Sequence, residues 1–179
     1  MLPGGFTVAG PEFPVSILPA RQYDGAGTCR GGASALAHGP STPLPERNMT
    51  DEAALVEQGL ELHQRGRLRD AAALYRQVLE RQPRHAEANH LLGLIEQQAG
   101  NREQALHHLS LAVAAASASA AYLSNLGLAL QASGRLEEAS ARYRRAIELA
   151  PDIAAIHNNL GVVLQAMGTP DAARDSFGK

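Results

Sequence analysis

Two columns of glycine limit what this chain can become. Gly59, Gly93, Gly127 and Gly161 are each 34 residues apart, and so are Gly66, Gly100, Gly134 and Gly168. Ala71, Ala105, Ala139 and Ala173 keep the same spacing, as do the large residues Tyr75, Leu109, Tyr143 and Phe177. Four columns in one register mark an internal repeat. A short repeated unit cannot bury its apolar face alone, so the copies must stack.

The pattern inside a unit is helical. In the third unit Leu123, Leu126 and Leu130 follow i, i+3, i+7, and beyond Gly134 the residues Ala139, Tyr143, Ala146 and Ile147 follow i, i+4, i+7, i+8. That predicts two amphipathic helices per unit. The second glycine of each unit is placed to end the first helix in a left-handed conformation. Pro83 and Pro151 are placed to close the second helices of units one and three. Ser117 stands at the same position in unit two, which makes the Ala114–Ser119 junction the expected weak point of the stack. In the fourth unit Thr169 is the expected N-cap and Pro170 the first helical residue. The first glycine column and the alanine column let two helices approach closely, with the large residues filling the space beside them.

Composition removes several classes of function. Of 179 residues 45% are hydrophobic and only 4% aromatic, so any core is built mainly from Ala and Leu. Cys29 is the one cysteine, which excludes an internal disulfide and a multi-thiolate zinc site. No run of 18 apolar residues occurs, so no spanning helix is expected. With 16 Lys and Arg against 18 Asp and Glu, a nucleic-acid or anionic-membrane partner is not expected. Seven of the ten prolines and eight of the seventeen glycines precede residue 49. Residues 1–48 therefore read as a disordered tail, and Met49-Thr50-Asp51-Glu52 resembles a protein start, so the tail is expected to reflect a misassigned start codon. Residues 49–179 form the expected folded domain.

The order Leu126-Gly127, Leu130, Gly134, Ala139, Tyr143, Ala146, Pro151, echoed by Leu92-Gly93, Gly100, Ala105 and Leu109, resembles the tetratricopeptide repeat. The units run 52–85, 86–119, 120–153 and, incomplete, 154–179. Leu55, Asn89, Leu123 and His157 stand where that family often has tryptophan. The resemblance implies an all-α, right-handed α-solenoid of antiparallel helix pairs, about three and a half repeats long, with the first helices lining a concave groove. It also implies a cytoplasmic, non-enzymatic scaffold that binds a protein or peptide segment, with no cofactor and no metal. By family analogy three columns line the groove: Val56, His90, Ser124 and Asn158; Leu60, Leu94, Leu128 and Val162; His63, Gln97, Gln131 and Gln165. Asn125 and Asn159 sit beside them. The expected partner-binding residues are Leu94, Gln97, Ser124, Asn125, Leu128, Gln131, Asn158, Asn159, Val162 and Gln165. An aliphatic stripe between rows of carboxamides suits an extended peptide, because an amide both donates to and accepts from a backbone.

Other chemistry is weaker. His107 and His108 are neighbours on a helix and point about 100° apart, and His85 with His90 lacks a second pair, so these histidines read as surface residues. Arg142, Arg144 and Arg145 share a helix with Glu137, Glu138 and Glu148 and read as a solvated back face. The last helix is short and its apolar face uncovered, which suggests either a fragment of a longer protein or an end that docks on a partner or a second copy. The Asn-Leu-Gly triplets at 125–127 and 159–161 resemble the repeat arms of bacterial proteins similar to O-linked N-acetylglucosamine transferases. An alternative expectation is therefore a substrate-recognition arm of a longer glycosyltransferase-like enzyme.

Overall fold

The structure, a computed structural model, describes residues 49–178. The expected disordered tail and the misassigned start lie outside the described residues. Among the described residues the chain is all α: α1 (Met49–Gln64), α2 (Leu68–Arg81), α3 (Ala86–Gln98), α4 (Arg102–Ala115), α5 (Ala120–Ala132), α6 (Leu136–Leu149), α7 (Ala154–Ala166) and α8 (Pro170–Phe177). Each consecutive odd and even pair forms a tight helical hairpin, and each hairpin packs on the next through α2 with α3, α4 with α5 and α6 with α7.

The repeated columns meet in space. A Cβ placed on Gly127 would lie 2.7 Å from Cε1 of Tyr143, and one on Gly59 would lie 2.5 Å from Cε1 of Tyr75. Gly93 faces Leu109 and Gly161 faces Phe177 in the same way. The first glycine of a unit is therefore the space into which the large residue of its second helix fits. Tyr75, Leu109 and Tyr143 are fully buried there, whereas Phe177 remains 46% exposed.

The second glycine column works through its backbone. Gly134 has φ of 75°, and Gly66, Gly100 and Gly168 share that left-handed conformation. Arg135 N–H then reaches back to Leu130 O at 2.9 Å, and Gly134 N–H to Gln131 O at 3.0 Å, so the last carbonyls of α5 are satisfied as the chain reverses. At the far end of the unit, α2 stops at Arg81 and α6 at Leu149, two residues before Pro83 and Pro151. Where Ser117 replaces proline, α4 still ends at Ala115, and Ser119 caps α5 by accepting from Tyr122 N–H at 3.3 Å.

Thr169 does not cap α8 through its side chain. Its Oγ1 donates to Leu164 O at 2.8 Å instead, tying the turn to the end of α7, while Pro170 takes the first helical position as expected.

Curvature follows from which helices touch. Each first helix also contacts the next one, α1 with α3, α3 with α5 and α5 with α7, while the second helices make no comparable contact with one another. Helices that converge on one side and splay on the other make the first set the inner wall of the stack.

Candidate functional site

Because the first helices are packed on both flanks, much of the expected groove lining is consumed by the fold. Leu94 is 2% exposed and belongs to the core, whereas Leu60, Leu128 and Val162 are half-buried. Ser124 and Val56 are buried, and Asn158 is exposed. Of the third column His63 is buried, Gln97 and Gln131 are half-buried, and Gln165 is exposed. Asn125 is buried and Asn159 half-buried. The accessible polar groups thus lie toward the α5 and α7 end of the wall.

The buried polar groups form pairs across repeats. Nδ2 of Asn125 donates to Nε2 of His90 at 2.8 Å. The His90 ring also lies on that of Tyr122, with centroids 4.3 Å apart. His90 is therefore not a surface histidine: it is 2% exposed, and burial, with the neighbouring His63 adding to it, pushes its pKa down to about 4. With the Asn125 amide donating, Nε2 carries no proton. Burial lowers the pKa of His63 as well, and its Nε2 lies 3.5 Å from Nε2 of Gln98.

The glutamine row behaves differently in each unit because of its neighbour from the second helix. In unit three Tyr143 O–H donates to Oε1 of Gln131 at 3.2 Å. In unit two the tyrosine position is Leu109, and the buried Oε1 of Gln97 has no partner. In unit one the buried Tyr75 hydroxyl and Nδ1 of His63 also lack partners. Asn158, Asn159 and Gln165 make no side-chain hydrogen bond among the described residues.

Reasoning from the sequence missed a second set of polar locks on the outer side of the wall. Arg76 bridges to Oε1 of the buried Glu96 at 2.8 Å, and Asn101 Nδ2 donates to its Oε2 at 2.7 Å. Nδ1 of His108 lies 3.0 Å from Oδ1 of Asn89, so His108 is no free surface group either. Only Glu96 leaves a signal in the sequence, as a charged residue in a column otherwise filled by Leu62, Leu130 and Leu164. Among the described residues no three His, Cys, Asp or Glu gather in a way that could hold a metal ion, and no helix is long and apolar enough to cross a membrane.

The comparisons with known proteins agree with this architecture. The family described as tetratricopeptide repeat matches residues 62–127, and the one described as TPR repeat matches residues 131–168. No curated protein sequence matches the chain. Among solved structures, MamA (41-end) from Desulfovibrio magneticus RS-1 is 27% identical with a TM-score of 0.66, covering 73% of this chain and 73% of that one. A mutant of the Thermobaculum terrenum O-GlcNAc transferase is 34% identical with a TM-score of 0.63 over 68% of this chain, but only 23% of that chain is covered. The first TPR of Spaghetti (RPAP3), bound to the HSP90 peptide SRMEEVD, has a TM-score of 0.65 at 24% identity and covers 68% of this chain and 96% of that one. Its 34-residue period, its paired helices and these matches together show that the chain belongs to the tetratricopeptide repeat family.

Proposed function

We propose that this chain is a non-enzymatic interaction module that holds an extended segment of a partner protein against its inner wall. The observation that carries this reading is the α7 end of the wall. Asn158 and Gln165 stand exposed there, with Asn159 half-buried beside them and the half-buried Leu128 and Val162 between the polar rows. Amides without an internal partner are available to a peptide backbone, and the aliphatic positions can take its apolar side chains. A solved relative of the same repeat type with a bound peptide supports the same use of the fold. We place the module in the cytoplasm.

Affinity capture with the full chain as bait, in parallel with the triple variant Asn158→Ala, Asn159→Ala, Gln165→Ala, tests the reading. A partner recovered by the first and lost from the second, at an unchanged melting temperature, supports it. Identical recoveries from both baits count against it.

A second reading is a substrate-selecting arm of a longer glycosyltransferase-like protein, favoured by the 34% identity to the O-GlcNAc transferase repeats. The coding sequence beyond Lys179 separates the two: a transferase domain in frame selects the arm.

A further inference from the structure

The charges of the described residues are sorted by helix. No Lys or Arg occurs in α1, α3, α5 or α7, and every arginine among the described residues lies in a second helix or a turn. The carboxylates are uneven too: α1 and α3 carry them, whereas α5 and α7 contain no Asp or Glu. Half of those on α1 and α3 are already used. Glu52 accepts from Gln82, Glu96 is held by Arg76 and Asn101, and Glu61 pairs with Arg65 at 3.8 Å. Asp51, Glu57 and Glu87 make no ion pair among the described residues.

Asp51 is exposed at the register of the N-cap residues His85 and Ser119, ahead of the repeat, whereas Glu57 and Glu87 belong to the inner wall. Glu57 occupies in unit one the position that Asn125 occupies in unit three, and the Asn125 side chain reaches the inner-wall His90. Glu87 is half-buried on the first turn of α3. Burial raises the hydroxyl pKa of Tyr75 and Tyr122, and Glu87 is close enough to add to both; Tyr122 stacks on His90.

A wall without a cation cannot compensate an acidic side chain for losing its water, and at the α1 and α3 end it would repel one. An uncharged segment meets no such penalty along α5 and α7. A Lys or Arg gains an opposite charge only at Glu57 and Glu87. We infer that the segment held by the inner wall is free of acidic side chains: an uncharged stretch lies along α5 and α7, and a Lys or Arg faces Glu57 and Glu87. This rests on the groove reading above and names the chemical class of its occupant.

A library of random twelve-residue peptides, displayed against the full chain and counter-selected on the Asn158→Ala, Asn159→Ala, Gln165→Ala variant, tests the inference. The enriched peptides should be depleted in Asp and Glu, and placing one Asp in the uncharged stretch of the best peptide should weaken it about tenfold. The double variant Glu57→Gln, Glu87→Gln should weaken that peptide about threefold to tenfold and leave its Lys- or Arg-to-Gln counterpart unchanged. Enriched peptides that need Asp, Glu or a free terminal carboxylate, while still depending on the wall residues, overturn the inference and leave the groove reading standing. A double variant without effect overturns the basic contact. If no peptide depends on the wall residues, the groove reading itself fails and the inference with it.

Discussion

Nδ2 of Asn89 donates to the carbonyl oxygen of Pro83 at 2.9 Å, across the boundary between the first and second repeats. One boundary recurs in kind: Nε2 of His157 donates to Pro151 O at 2.7 Å. At the third unit, where Ser117 replaces the proline, the corresponding residue is the apolar Leu123. A proline stops the second helix and leaves carbonyls without a helical donor, so a polar residue six positions on can take one up. Asn89 also donates to His85 O at 3.0 Å and is fully buried, so its amide is satisfied on both sides.

Asn89→Leu should therefore cost more than a surface change. It removes the bonds to Pro83 and His108, but Pro83 is exposed and His108 half-buried, so water can replace the amide there and the loss should be about 1–1.5 kcal/mol. Chemical denaturation of the purified chain measures it, and a loss within about 0.5 kcal/mol would show that the bond is not needed.

Asn125→Ala should lower stability rather than act on a partner alone. Removing the amide leaves Nε2 of His90 buried without a hydrogen bond, at about 1–2 kcal/mol. Asn158→Ala, at an exposed position, should stay within about 0.5 kcal/mol of the parent. Urea titrations of the two variants side by side distinguish a bonded amide from a free one.

Acid should weaken the first three repeats. In the unfolded chain His90 titrates near its ordinary value of 6.5, and in the fold near 4, so between these values the unfolded state binds more protons. The groups packed around it, His63 on α1 with Tyr122 and Asn125 on α5, supply no carboxylate to hold a charge. Stability should be complete above about pH 6.5, fall through the window down to about pH 4, where roughly 3 kcal/mol is lost, and level off below it. His63 shifts in the same direction. Urea midpoints across that pH range check the slope, which His90→Gln should flatten; an unchanged slope in the variant would assign the effect elsewhere.

The two glycine columns should respond to alanine by different mechanisms. Gly127→Ala drives a methyl to 2.7 Å from the buried Tyr143 ring, an overpacking penalty of about 1–3 kcal/mol. Gly134→Ala meets nothing within 4 Å and bears only the strain of φ at 75°, about 1 kcal/mol. In a double-mutant cycle, Tyr143→Ala, which empties the space beside Gly127, should rescue part of the first loss and none of the second, as thermal melts of the single and double variants would show.

The period was legible because repeated columns act within a single hairpin, the first glycines by contact, as Gly127 with Tyr143, and the second glycines by the left-handed turn they allow. Sequence spacing alone reports that kind of contact. What spacing could not report is pairing between hairpins. Asn125 and Asn159 carry the same amide at the same repeat position, yet one is taken by His90 and the other is not, because only the repeat preceding Asn125 offers a histidine there. Leu94 and Leu128 likewise share a column, but the packing of units two and three buries the first more deeply. His90 looked like a surface residue because its own helix gives no sign that Tyr122 of the next unit covers it. Thr169 had the right chemistry for a cap, but Leu164 O offered its hydroxyl a nearer acceptor.

Because each hairpin leans only on those beside it, no hydrogen bond among the described residues spans more than 35 positions of chain. Inserting or excising one whole period would leave the register of all other units untouched, whereas a deletion of any other length would misalign every interface downstream. The molecule can therefore lengthen or shorten its reach in evolution by copying itself, without inventing a new contact.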